Sequence, residues 1–142
     1  DDQGFIRSWR VSSLLKAPRN IGSVTPPSRI TSFVPIQVDG GINLVDIRRV
    51  HQGADGLVYM RGEIVLPRAG RGRLLFGADG PVKVWFNGRA AGCEPKATNP
   101  AVKDSYACPV SLKTGRNVVL FALATNCGKA WGVIARCERD GV

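Results

Sequence analysis

Asn87-Gly88 lies between two extended-type runs, Val82-Lys83-Val84-Trp85-Phe86 before it and Arg89 to Cys93 after it. A two-residue type I′ turn needs positive φ at both central positions, and Asn and Gly adopt that conformation most readily, so the stretch predicts an antiparallel hairpin. The rest of the chain agrees with a β fold. Helical periodicity is nearly absent, and short β-rich runs bounded by turn residues recur along the whole length.

The first run, Phe5 to Val11, predicts a strand with Phe5, Trp9 and Val11 on one face and Ile6, Ser8 and Arg10 on the other. Residues 16 to 32 carry Pro18, Gly22, Pro26 and Pro27 and predict a long irregular connection, a candidate binding loop. Val34, Ile36 and Val38 alternate up to a Gly40-Gly41 turn, and Ile42 to Ile47 resumes an extended run. Leu57 to Leu66 is the longest candidate strand. It sets Val58, Met60, Ile64 and Leu66 against Tyr59, Arg61 and Glu63, and stops at Pro67. Pro67 to Gly72 then leads to the Arg73 to Phe76 run. This Arg/Gly tract suggests nucleic-acid contact, but between two strands it is more simply a turn. Val110 and Leu112 lead to a Thr114-Gly115 turn. Val118 to Ala124 is apolar on both faces, as a central strand is, and Trp131 to Cys137 closes the set after a loop at Asn126-Cys127-Gly128-Lys129. About eight to ten strands result, a number that suits a two-sheet antiparallel β-sandwich of the jelly-roll kind. With no internal repeat or boundary, residues 1–142 are expected to form a single β-sandwich domain with one core.

No run approaches the ~20 apolar residues of a membrane helix, and Asp1-Asp2-Gln3-Gly4 has neither part of a signal peptide, so a soluble piece of a longer secreted protein is the expectation. The formal charge of +9 attracts polyanions, but the basic residues are scattered along the sequence, where a nucleic-acid arm would concentrate them. The charge either solvates the surface or assists binding. Cys93, Cys108, Cys127 and Cys137 have no C-x-x-C spacing, which argues against a zinc knuckle or a thioredoxin-like motif. Their even number leans toward disulfides and an oxidising compartment. Cys127 and Cys137 flank an extended strand, which keeps them apart, so Cys108 with Cys127, or Cys93 with Cys108, are the favoured pairs.

Several segments resemble a recurring pattern of galactose-binding-like jelly-roll domains, which occur as ancillary modules of secreted glycoside hydrolases and bacterial surface proteins. Leu74 to Arg89, with Gly77-Ala78-Asp79-Gly80 and Asn87-Gly88-Arg89, is similar to the family's strand, Gly-Ser-Asp-Asp-Gly, strand, Asn-Gly-Lys stretch. Leu112-Lys113-Thr114-Gly115-Arg116-Asn117 is similar to its Leu-Lys-x-Gly-x-Asn turn, Trp131-Gly132 to its closing strand, and Ser8-Trp9-Arg10-Val11 to its opening one. The resemblance implies a galactose-binding-like sandwich and a carbohydrate-binding role. The family's Asp-Asp pair is Ala78-Asp79 in this chain, which puts a borrowed calcium role in doubt. Calcium wants about 6–8 oxygen ligands. A structural calcium would need Asp1, Asp2, Glu138 and Asp140 to join in where the termini meet.

Catalytic constellations are missing from the sequence. His51, the single histidine, lies in a polar turn and is expected on the surface, with no nucleophile elbow to serve. Asp39, Asp46, Asp55, Glu63, Asp79, Glu94 and Asp104 fall mostly in turns or on outward strand positions, so a paired-carboxylate cleft is not expected and the chain reads as a non-enzyme. Binding remains. Sugar sites need aromatic faces with polar groups to fix hydroxyls or acids. Trp9 and Trp85 sit within strands and read as core, whereas Trp131 follows a Gly-Lys loop. The 94–107 loop offers Lys96, Asn99, Lys103 and Tyr106, and the 125–130 loop offers Asn126 and Lys129. Joined by Cys108–Cys127, the two loops would share one end of the sandwich. The expected ligand-binding residues are therefore Lys96, Lys103, Tyr106, Asn126, Lys129 and Trp131. The leading expectation is a non-catalytic module that binds a polysaccharide, an acidic one (uronate or sulfated) being favoured by charge, beside a catalytic domain of the same secreted or cell-surface bacterial polypeptide. The alternative is a structural or protein-contact domain without its own ligand. A nucleic-acid partner is disfavoured.

Overall fold

In a computed structural model that describes residues 4–27, 33–38 and 43–140, ten strands form two antiparallel sheets. The strands are β1 (Ser8–Ser12), β2 (Phe33–Gln37), β3 (Leu44–Asp46), β4 (Leu57–Leu66), β5 (Gly70–Ala78), β6 (Val82–Phe86), β7 (Arg89–Glu94), β8 (Tyr106–Leu112), β9 (Gly115–Ala124) and β10 (Gly132–Arg139). The six-stranded sheet runs β2-β1-β4-β9-β6-β7 and the four-stranded sheet β3-β10-β5-β8. The two-sheet sandwich expected from the alternation is thus the fold.

Alternation explains the core. Val58 and Met60 of β4, Val82, Val84 and Phe86 of β6 and Val119, Phe121 and Leu123 of β9 face Leu74 and Phe76 of β5 and Val133 and Ala135 of β10, all of them buried. Phe121 sits at the centre, its ring 5.3 Å from Phe76 and 5.9 Å from Trp9. β9 lies between β4 and β6, as its two apolar faces require. The Asn87-Gly88 hairpin forms with φ of 50° and 82°.

The run from Phe5 to Val11 is not one strand. Phe5 bridges to Arg136 of the four-stranded sheet, and the chain then crosses to enter the six-stranded sheet at Ser8. The crossing resets the alternation, so Ile6 is buried together with Trp9, and the Trp9 indole donates to the Ile6 carbonyl at 2.9 Å across the corner. The 67–72 tract is likewise shorter as a turn than expected. Only 67–69 connect the sheets, because Gly70 already pairs with Leu112 in β5.

The candidate binding loop of residues 16–32 has a packing role where it is described. A 3-10 turn at Ile21–Ser23 lays Ile21 and Val24 on the outer face of the six-stranded sheet, over Tyr59, Trp85 and Ala122. The Tyr59 hydroxyl donates to the Thr25 carbonyl at 2.7 Å, and Lys83 donates to the Gly22 and Val24 carbonyls. Trp85 is therefore structural, in a second small core. Ile42 and the Gly40-Gly41 turn lie outside the described residues.

All four cysteines are free thiols, with Cys93 and Cys127 exposed. The expected Cys108–Cys127 bridge is not formed, because Cys108 points into the core from the middle of β8 while Cys127 belongs to the loop after β9. Cys93–Cys108 is not formed either. Cys108 and Cys137 both pair with Leu74 from opposite sides, two strand spacings (about 9–10 Å) apart and beyond disulfide reach. Burial pushes the Cys108 and Cys137 thiols up to about 11.

Candidate functional site

The strand directions place the β5–β6, β7–β8 and β9–β10 connections, with the short helix α1 (Arg48–His51), at one end of the sandwich. Trp131 is at this end and 49% exposed, whereas Trp9 and Trp85 are 2% and 5% exposed. A half-exposed indole is useful for binding only if its backbone is fixed. Here Asp79 fixes it. Its carboxylate, 2% exposed, accepts the Trp131 N–H at 2.7 Å and the Gly132 N–H at 3.1 Å, and the Trp131 carbonyl accepts the Ile47 N–H at 2.8 Å. A Cβ at Gly132 would collide with the Val45 carbonyl, so glycine allows this close approach between β10 and β3.

Arg48 lies over the indole with its guanidinium carbon 3.7 Å from the ring centroid. Asp46 sets that pose, taking Nη2 at 2.5 Å, Nε at 3.0 and 3.1 Å and the Arg48 backbone N–H at 2.9 Å. Partial burial alone would raise the Asp46 carboxyl, but the Arg48 hydrogen bonds and charge outweigh it and hold the group below its ordinary range. Arg48 and Asp46 carried no site assignment in the sequence, where Asp46 fell in the Ile42 to Ile47 extended run and Arg48 was one of the scattered basic residues. The aromatic–cation stack joins residues far apart in the chain, so no local spacing signals it.

The 125–130 loop beside Trp131 is rigidly built. Thr125 donates its hydroxyl to the Ala54 carbonyl at 2.8 Å and accepts the Gly56 N–H at 3.0 Å. Asn126, Cys127 and Gly128 are left-handed in succession, with φ of 54°, 56° and 81°. His51 corrects an expectation. It is 3% exposed, with Nε2 2.6 Å from the Ala130 carbonyl and Nδ1 accepting the Gly53 N–H at 2.9 Å. Nε2 anchors this loop and Nδ1 closes the turn after α1, so the residue is a buried brace.

The two expected loops do meet, through a hydrogen bond in place of a disulfide. The Asn99 amide donates to the Lys129 carbonyl at 3.3 Å. Gly77 allows it, since a Cβ there would collide with the Val102 carbonyl of the 95–105 loop lying on β5. Of the expected ligand-binding residues, Asn126 and Lys129 adjoin Trp131 on one loop. Lys96 and Lys103 are exposed on the other loop and form no ion pair among the described residues. Tyr106 begins β8 at the edge of the same loop. It is half-buried, with its ring 5.4 Å from that of Phe76.

The described residues do not by themselves fit calcium. Both Asp79 oxygens are taken by backbone amides, Glu138 pairs with Arg73 and Arg136, and no group of three or more metal-ligating side chains occurs among the described residues. Asp1 and Asp2 lie outside those residues. No described helix is long and apolar enough to cross a membrane.

No protein-family description and no curated protein matches the sequence. Solved structures do match its fold. A β-glucosidase from Kluyveromyces marxianus is similar over 97% of this chain and 18% of its own, with a TM-score of 0.60 at 11% identity. The PA14 domain of the MpAFP antifreeze protein is similar over 98% of this chain and 83% of its own, with a TM-score of 0.54 at 11% identity. A β-glycosidase from Bacteroides vulgatus gives a TM-score of 0.56 at 12% identity, over 96% of this chain and 20% of its own. The chain thus spans about a fifth of the two glycosidases and most of the isolated domain.

Proposed function

We propose that this chain is a non-catalytic carbohydrate-binding module, an ancillary galactose-binding-like domain that works beside a catalytic domain of a secreted or cell-surface bacterial protein. The observation that carries this reading is Trp131. An exposed indole on a doubly tethered backbone is preorganised to stack on the C–H face of a pyranose ring, so little ordering entropy opposes binding. Arg48 covers part of the indole. Asp46 engages its Nε and Nη2, which leaves Nη1 to donate to a sugar hydroxyl or carboxylate. Lys129 and Asn126 extend the polar rim. Fold similarity to segments of glycosidases agrees with this role.

Three of the candidate catalytic groups are engaged in structure. His51 uses both ring nitrogens, Asp79 both carboxylate oxygens, and Asp46 is held by Arg48.

Affinity electrophoresis in gels containing neutral or acidic polysaccharides tests the proposal. The protein should be retarded by at least one glycan, and Trp131→Ala should weaken that binding by about tenfold, the size of one aromatic stack. No retardation by any glycan at micromolar protein would refute it.

A further inference from the structure

At the opposite end of the sandwich a groove of about 690 Å3 opens between β7 and β8, the edge strands of the two sheets. That volume falls within the ~300–1,000 Å3 typical of ligand sites. Arg71, Arg89 and Lys113 line it with one acid, Asp140, while Ala90, Ala91 and Pro109 supply apolar wall. Some cations outside the groove are paired: Arg48 with Asp46, Arg73 with Glu138, Arg116 with Glu63 and Arg136 with Asp104. The three groove cations form no ion pair among the described residues. Like charges turned toward one concavity without counterions raise the local potential and attract an anion.

The rim is also preorganised. Asn117, 1% exposed, accepts the Lys113 N–H at 2.9 Å and the Asn87 amide at 3.0 Å, and donates to the Lys113 carbonyl at 2.9 Å. One buried amide thereby fixes two of the lining residues.

We infer that this groove is a second binding site, for a linear anionic sugar chain whose sulfate or carboxylate groups are met by Arg71, Arg89 and Lys113. Two features count against other polyanions, and a sugar chain held through its sulfate or carboxylate groups can do without the aromatic face that a neutral sugar needs. Phe86, the one aromatic lining residue, is 4% exposed, so the groove lacks the stacking platform that single-stranded nucleic acid uses. Pro109 removes a backbone donor from the β8 edge, which disfavours an acidic peptide added as a strand. The inference shares the class of partner with the Trp131 reading but none of its residues.

Calorimetric titration with a sulfated hexasaccharide, an oligogalacturonate, a neutral hexasaccharide and single-stranded oligothymidylate tests it, and the first two arms separate sulfate from carboxylate. At least one anionic sugar should bind, and more weakly as salt is raised. The triple variant Arg71→Ser, Arg89→Ser, Lys113→Ser should lose about tenfold in affinity, each screened charge giving about a factor of two. Measured in a Trp131→Ala background, the anionic sugar should still bind and the serine triple variant should still lose that binding, so failure here is distinct from failure at Trp131. The triple variant Arg71→Lys, Arg89→Lys, Lys113→Arg, which keeps the charge, should retain binding, and Asp140→Asn should tighten it. The inference is overturned if no anionic sugar binds, if the serine variant binds as the wild type does, or if oligothymidylate binds as tightly and is lost in the same variant.

Discussion

The two ends of the sandwich are organised alike and equipped differently. At one end buried Asp79 clasps the start of β10 and presents Trp131; at the other, buried Asn117 clasps the turn between β8 and β9 and fixes Lys113 and Asn87. The first end carries an exposed aromatic, with its nearest cation, Arg48, paired to Asp46. The second carries unpaired cations and no exposed aromatic in its groove. The Trp131 end thus adds a stacking face to the exposed charges of Lys96, Lys103 and Lys129, whereas the groove at the other end has charge without an exposed aromatic.

The comparison breaks most visibly if the clasps are removed. Asp79→Ala deletes two charge-assisted hydrogen bonds and leaves the Trp131 and Gly132 amides without their acceptor, so calorimetry should record a loss of about 3–5 kcal/mol. Trp131 emission should shift while anion binding at the far groove persists in the folded fraction. Asn117→Ala should cost about 2–3 kcal/mol, measured by urea unfolding, and should loosen the groove while sparing Trp131. A variant that disturbs both ends equally would show that they are not independent.

Acid should sharpen the contrast with a smaller effect. The Asp46 carboxyl is lowered in the folded protein, so its contribution is present at neutral pH and disappears as pH falls through the folded value, below the ordinary ~4. Because the pair is largely exposed, the stability change should stay under about 1 kcal/mol, but the guanidinium should leave the indole and Trp131 fluorescence should report it. Smallest of all, thiol reagents at neutral pH should modify exposed Cys93 and Cys127 quickly and buried Cys108 and half-buried Cys137 slowly, with no change in stability until Cys108 reacts.

Much of the fold was legible because period-two alternation and turn chemistry are local. The β4 limits, the Asn87-Gly88 hairpin and the central position of β9 all follow from adjacent residues. Ile6 misled because the chain changes sheets beside it, and no pattern within Phe5 to Val11 marks the crossing. At the candidate site Trp131, Lys129 and Asn126 were found through their loop. Arg48, Asp46 and the clasping role of Asp79 depend on contacts across distant strands. The groove stayed hidden for the same reason. Arg71, Arg89 and Lys113 are scattered in sequence and converge only when β5, β7 and the β8–β9 turn meet.

The central claim, that Trp131 and its surroundings form the glycan-binding face, is tested most directly by following backbone amide and indole N–H resonances during titration with an oligosaccharide of the glycan that retards the protein. If the claim holds, the Trp131 indole and the amides of Arg48, Asn99 and Asn126 to Gly132 should shift together and saturably, and Trp131→Ala should abolish those shifts. Saturable shifts that cluster elsewhere while these resonances stay still would contradict it.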